Sequence, residues 1–533
     1  MIPQVMQKLF TLRTLRRFIA LIFLLLFGFA FVDFSGTLSS DFIQGLLYLQ
    51  FTPSVIKFIT VGGIAASGFV IVTLLTFLFG RVYCSMLCPL GIIQDIAARV
   101  RFKKPKYVYL KPWNLIRYIS LFIIVSLALL GSLFLLYTFD PYSLAGRIFS
   151  DLIRPIYYGV NNLLVVILGF FNSYALHHVD FKGMPWQGVA ITGSFAALLL
   201  FVAWRWGRIY CNSICPVGSF LSIISRYSLF RIVIDENSCT ACNRCVRTCK
   251  ASCIDMEQKT IDFSRCVACY NCIDSCNAKG ISYRFALKPS KNSKSNNVDT
   301  VKRSSLAVLS GFAIGALSLG RVNKLFAQNS GQGRGKSNRK AGAVYNERNA
   351  PITPPGSYNQ KDFLNACTAC HLCVSVCPTH VLQPSISEFG FWGMLQPHMD
   401  FHSGFCNFEC TKCGEVCPTG AIRLLELETK KRVQIGKAKF HKANCIVRVD
   451  RTECGACSEH CPTKAVKMVP WQGLFIPEVD EDICIGCGAC EYACPTEPYK
   501  AIYVNGNTDH LVAELPEQID DAPRESNIDD FPF

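Results

Sequence analysis

Six groups of four cysteines constrain this chain more than any other feature. Cys239, Cys242, Cys245 and Cys249 are followed by Cys266, Cys269, Cys272 and Cys276, both in CxxCxxCxxxC order. Further on come Cys367, Cys370, Cys373, Cys377; Cys406, Cys410, Cys413, Cys417; Cys445, Cys454, Cys457, Cys461; and Cys484, Cys487, Cys490, Cys494. Each of these last four quartets ends in CysPro. Such tight runs have ligand spacing, not cross-link spacing. Structural zinc sites pair two hairpins across a longer gap, so a run of four thiols fits iron–sulfur better. Three thiolates at this spacing wrap one face of a cubane, and the fourth lies too far along the turn, so it ligates the neighbouring cluster.

The expected cofactors are therefore six 4Fe–4S clusters. The spacing assigns Cys239, Cys242, Cys245 and Cys276 to one cluster, and Cys266, Cys269, Cys272 and Cys249 to another. Among the last four quartets, adjacent and nested exchanges of the final cysteine both close. The proline usual after the last cysteine is replaced in the first two quartets by Lys250 and Asn277, and Cys253 is surplus, read as a bystander.

A length of 533 residues calls for several modules, and with half of them hydrophobic some must lie in a membrane. Four apolar segments are expected to span: Phe18 to Val32, Phe58 to Gly80, Tyr118 to Tyr137 and Val189 to Trp206. Lys8, Arg13, Arg16 and Arg17 precede the first, and Arg99 to Lys106 carry a second basic cluster, which puts both ends on the cytoplasmic side. The stretch from Phe139 to Gln187 then lies outside, its apolar run Leu163 to Phe171 too short to cross. His177 and His178 there read as solvated loop histidines before proton acceptors. The net charge of +16 follows from topology and linkers, which argues against a nucleic-acid partner.

An internal repeat joins the two halves of this membrane region. Gly80-Arg81-Val82-Tyr83-Cys84 through Cys88-Pro89-Leu-Gly91 returns as Gly207-Arg208-Ile209-Tyr210-Cys211 through Cys215-Pro216-Val-Gly218. Both copies follow a span on the cytoplasmic side, so Cys84, Cys88, Cys211 and Cys215 can converge as an extra redox or metal site, a seventh cluster. Against this stands a plainer reading, in which CxxxCP marks a helix start with cysteines as small buried hydrophobes.

The expected organisation is a four-helix membrane domain (1–225), a two-cluster ferredoxin domain (226–287), a linker (288–350), a four-cluster polyferredoxin (351–510) and an acidic tail (511–533). The fold class is multidomain: an α-helical membrane bundle with α+β ferredoxin-like modules. Within the linker, residues 304–320 form either a twin-arginine-like signal behind Lys302-Arg303 or a fifth span, and either places the rest outside. No nucleophile, P-loop or dinucleotide fingerprint is present, so the chain reads as wiring, and its status as an enzyme stays open.

At this point the chain resembles a fusion. The spans, the two GRxYCxxxCP repeats and the two-cluster ferredoxin are similar to NapH-type membrane quinol dehydrogenase subunits. The twin-arginine-like segment and four quartets, with text such as Cys417-Pro-Thr-Gly-Ala-Ile422, resemble NapG-type exported polyferredoxins. The resemblance implies menaquinol or quinol as substrate, the membrane quinone pool as partner, and a periplasmic terminal reductase (nitrate or nitrous oxide reductase) or c-type cytochrome as acceptor. It implies a bacterial inner membrane, with 226–287 cytoplasmic and 351–533 periplasmic. Relatives of the membrane core include a copper-reducing assembly factor, so metal handling for a respiratory enzyme is the alternative. One difficulty stands: the two ferredoxin modules are expected on opposite sides of about 30 Å of hydrocarbon.

Overall fold

The computed structural model describes residues 11–33, 36–100, 107–179, 186–286 and 341–514. The linker segment 304–320 and the tail beyond residue 514 lie outside the described residues. The described residues up to Phe285 and from residue 341 onward belong to one compact unit.

Three helices among the described residues are long and apolar enough to cross a membrane: Leu12–Val32, Pro141–Phe170 and Trp186–Trp206. A fourth crossing arises if Ser40–Leu47 and Phe51–Thr60, bent by 107° to each other, count as one broken span. Leu12–Val32 starts on Thr11, whose hydroxyl accepts from Thr14 N, and runs 21 residues, about 31 Å at about 1.5 Å per residue. On its buried stripe Phe27 and Phe31 pack on Tyr142, and Phe27 also on Phe149, both of the Pro141–Phe170 helix.

Two expected spans are broken. The apolar run from Phe58 to Gly80 is interrupted at Gly62 and Gly63, with φ of +74° and +82°, leaving Gly68–Phe79 as a separate 12-residue helix. The run from Tyr118 to Tyr137 breaks at Gly131 (φ +86°) into Asn114–Leu129 and Phe134–Phe139. Glycine adopts this left-handed backbone without the Cβ clash that stops other residues.

The stretch expected as an outer loop instead holds a 30-residue helix, Pro141–Phe170, with a π-helical turn at Ile148–Ile153. Its polar residues hid it from the apolar pattern, but each has a partner. Arg147 donates to Tyr137 O at 3.0 Å, Asp151 accepts from Thr192 at 2.8 Å, and Arg154 donates to Val374 O at 3.2 Å. Buried polar groups are tolerated when paired in this way.

Beyond the helices the cysteine-bearing segments are small, with five two-stranded antiparallel sheets among the described residues. Phe230–Ile234 pairs with Ile281–Phe285, closing the 230–285 module. Val433–Phe440 pairs with Ile502–Val512, and Val466–Trp471 with Leu474–Val479 across a tight Gln472-Gly473 turn at positive φ.

The two cysteine-rich modules sit at opposite ends of the same helices. Arg13, at the start of Leu12–Val32, pairs with Asp274 of the first module at 3.3 Å. Just past its other end, Gln44 donates to Glu415 O of the second at 2.6 Å. Asn114–Leu129 repeats the pattern: Arg117 donates to Ser264 O at 3.4 Å, while Gly131 lies beside Asn365. So does Trp186–Trp206, which ends beside Lys250 and begins at a cavity wall shared with Tyr345 and Asp400.

Candidate iron–sulfur centres

The local fold of the quartets follows from their spacing. In four of them the residues flanking the second cysteine lie in left-handed backbone: Ala241 and Asn243, Ala268 and Tyr270, Ala369 and His371, Gly486 and Gly488. Such turns gather N–H groups into an anion-binding concavity. In all six quartets the third cysteine then falls on a helix of five residues or fewer, and in five of them the next residue is the last cysteine, as in Leu372–Val376 followed by Cys377.

The structure groups the thiols as follows. Cys245 lies within electrostatic reach of Cys239 and Cys242, and Cys272 of Cys266, Cys269 and Cys249. Cys276 packs, half-buried, at the edge of the same core. Cys373 faces Cys367, Cys370 and Cys417, and Cys413 faces Cys406, Cys410 and Cys377. Cys457 faces Cys445, Cys454 and Cys494, and Cys490 faces Cys484, Cys487 and Cys461. Two of these sets also line small cavities, one with Cys377, Cys406, Cys410 and Cys413, the other with Cys445, Cys454, Cys457 and Cys494. Between the two exchanges left open by the spacing, the geometry is the adjacent one: the last cysteine crosses to the neighbouring quartet.

These sets suit a cluster in other respects. Burial pushes Cys370 and Cys406 up to about 11 and Cys457 and Cys487 up to about 12, so each thiol needs a bound cation to ionise. Backbone N–H groups point at sulfur, as from Ala369 to Cys367, Ile422 to Cys417 and Ala438 to Cys484, each at 3.4 Å.

Sequence reasoning missed two features around the sulfurs. In all four CysPro quartets the next residue is threonine, and its hydroxyl lies against the cysteine sulfur: Thr379 at 3.6 Å, Thr419 and Thr463 at 3.7 Å, Thr496 at 3.2 Å. The signal was there in the repeated Cys-Pro-Thr. In the first module, which lacks that triplet, the surplus Cys253 is buried with its sulfur 3.5 Å from Cys249 and hydrogen-bonded to it, which pulls Cys249 down and pushes Cys253 up.

The CxxxCP cysteines do converge. Cys84, Cys88, Cys211 and Cys215 are all buried, and Cys215 lies within electrostatic reach of the other three. The sequence repeat is a structural one: Arg208 donates to Cys84 O at 2.7 Å, and Arg81 donates to Cys211 O at 3.0 Å. Gly91 N donates to Cys88 sulfur at 3.4 Å, and Gly218 N to Cys215 sulfur at 3.3 Å. Four thiols between two buried guanidinium groups suit an anionic tetrathiolate centre. The plainer reading is also half right, since Cys88 and Cys215 do cap helices that begin at Pro89 and Pro216.

On one side of this quartet Asp95 accepts from Arg208 at 2.9 Å and pairs with Lys250 at 3.0 Å, and Lys250 lies within electrostatic reach of Cys269. On the other, Tyr210 donates to Phe139 O at 2.7 Å, and Tyr142 lies within reach of both Asp140 and Cys370. A Cβ placed on Gly146 would come within 2.6 Å of Cys370 O, so the second module's first quartet sits directly on the Pro141–Phe170 helix. His371, within that quartet, is held between Asp151 at 2.8 Å and Leu395 O at 2.9 Å.

Comparison with known proteins agrees with this geometry. A 4Fe–4S binding domain family matches residues 61–107 and 189–234, each stretch containing one CxxxCP pair. Two 4Fe–4S dicluster domain families match residues 262–381 and 450–497. The methylamine utilization ferredoxin-type protein MauN of Methylobacillus flagellatus is 27% identical over 225 residues, 40% of this chain and 65% of its own length. The ferredoxin-type protein NapH of Escherichia coli is 29% identical over 191 residues, 35% of this chain and 53% of its own. This chain carries 4Fe–4S binding domains and is similar over about two fifths of its length to the ferredoxin-type proteins MauN and NapH. It spans about half to two thirds of the length of these NapH and MauN relatives, and the putative electron transport protein YccM of Escherichia coli matches it similarly, at 23% identity over 39% of this chain and 52% of its own length. No solved structure matches it.

Proposed function

We propose that this chain is a membrane-bound electron carrier that takes electrons from quinol and delivers them to a redox enzyme across the membrane. The observation that carries this reading is the placement of two quartet-bearing modules at opposite ends of spanning helices, with the CxxxCP thiols between them. The names of the relatives, ferredoxin-type and electron transport proteins, support it.

In this reading each 4Fe–4S cluster supplies a one-electron carrier, held by three cysteines of one quartet and the last of its neighbour. The six quartets would hold six clusters, with Cys276 completing the set of Cys239, Cys242 and Cys245. Cys84, Cys88, Cys211 and Cys215 would hold a seventh, which would supply a further one-electron carrier between the two modules. The protein's part is positional. Lys250 and Asp95 fix the first module against the CxxxCP site, Asp151 and His371 fix the second, and the buried thiols, threonine hydroxyls and backbone N–H groups set the electrostatics at sulfur. Residues 351–510 act as a NapG-type polyferredoxin fused behind a NapH-type core, the first module in the cytoplasm and the second in the periplasm, where the acceptor is a terminal reductase or c-type cytochrome.

Iron and acid-labile sulfide per chain, measured with EPR after adding a menaquinol analogue to anaerobic protein in detergent, test this. About 28 irons with quinol-reduced signals support seven cubanes, and about 24 would remove the bridging one. Full iron with no reduction by quinol would contradict the quinol-fed carrier and favour a metal-handling role.

A further inference from the structure

We propose that the cavity of about 870 Å³ between the start of the Trp186–Trp206 helix and the His398–Ser403 segment binds the quinol head group. The proposal rests on the quinol reading above and gives it a location.

Size and position come first. Sites for organic ligands of this size enclose about 300–1,000 Å³. The cavity opens beside Trp186, the first residue of a spanning helix and 70% exposed, where an aromatic ring marks a membrane–water boundary. A lipid-borne ring can enter there without leaving the bilayer surface. Pro351, Ile352 and Met399 give the lining its apolar part.

The polar part is two histidine–carboxylate pairs on one wall. His398 Nε2 lies 3.8 Å from Glu388 Oε1, and His402 Nδ1 lies 3.1 Å from Asp400 Oδ1. Arg348, also on the lining, pairs with Glu491, which lies between Cys490 and Cys494 in sequence, so one ion pair separates the cavity lining from a cysteine-bearing helix. A cavity of about 640 Å³ between Leu130 and Asp509 has no imidazole on its lining.

Oxidation of a hydroquinone to a quinone breaks two O–H bonds and releases two electrons and two protons. The electrons pass singly to iron–sulfur acceptors, and the wall takes the protons. Burial lowers His398, so it is neutral near pH 7 and able to accept one proton, whose charge Glu388 balances. The second leaves to water along the exposed face of the His402–Asp400 pair, whose imidazole Asp400 holds toward its charged form.

The test uses the full iron-loaded chain in lipid nanodiscs, with binding of a fluorescent hydroxyquinoline N-oxide as the probe. His398→Gln and His402→Gln are each expected to weaken binding about tenfold, the loss of about one hydrogen bond, with iron content and the dithionite-reduced EPR spectrum unchanged. Lys361→Gln, at the other cavity, should bind as wild type. Unchanged binding in both histidine variants, with wild-type reduction by menaquinol, overturns this site and leaves the quinol reading standing. A wild-type chain that neither binds the probe nor is reduced by menaquinol overturns both.

Discussion

Lys250 occupies the position that proline takes after the last cysteine in the four later quartets, and its ion pair with Asp95 explains the departure. Asp95 also faces Arg16 at 3.2 Å and Arg208, so one buried carboxylate serves three cations. Asp95→Asn should therefore cost about 3–5 kcal/mol in stability, the penalty for stranding buried charge, read as an earlier thermal or denaturant unfolding transition. The threonines after CysPro act on potential more than on stability. Thr379→Val or Thr496→Val removes a hydrogen bond to sulfur, which stabilises the more negative reduced state, so the potential should fall by about 20–60 mV, or about 0.5–1.5 kcal/mol for one electron. EPR-monitored redox titration checks the sign. Because burial holds Cys457 and Cys487 up to about 12, these thiols are protonated at pH 7 without metal. Cluster assembly on the empty chain should then release protons and tighten as pH rises, measurable as acid release in weak buffer. At this scale the six quartets were legible, because cysteine spacing is a local constraint, but which of the last four exchange their final cysteines was not. The role of Asp95 was not, since its partners lie 79, 113 and 155 positions away in sequence: Arg16, Arg208 and Lys250.

Among the elements, the repeated CxxxCP helix start is the one whose packing leaves least room. A Cβ on Gly91 would lie 2.5 Å from Cys84 O and 2.6 Å from Arg208 Nη1; on Gly218 it would lie 2.3 Å from Cys211 O. Gly91→Ala and Gly218→Ala should each cost about 1–3 kcal/mol and, on the seventh-cluster reading, lower iron by about four per chain, measured by metal analysis. The repeat was legible in sequence because Gly, Arg, Tyr, Cys and Pro recur in register. Helix boundaries were less so. Hydropathy merges Phe58 to Gly80 into one run because it cannot see that Gly62 and Gly63 turn the backbone. It also passes over Pro141–Phe170, whose Asp151 and Arg154 are matched by His371 and Val374, more than 200 residues later.

For the whole molecule, two modules that the sequence set apart by a bilayer are joined through the helix interior. Lys250 and Asp95 lead from Cys269 to the CxxxCP thiols, and Asp140 and Tyr142 lead on to Cys370. Beyond it, Cys406 N donates to Cys487 O at 2.9 Å, which ties the next pair of cysteine sets to the first. A continuous path is the central claim, and a sided reduction experiment tests it most directly. Protein oriented in sealed liposomes is exposed on one face to dithionite, which does not cross the bilayer, and the EPR signals of both modules are followed. With the native chain both modules should be reduced; with Cys84→Ala and Cys211→Ala combined, only the module facing the reductant should be. Reduction confined to one module in the native chain would contradict the account.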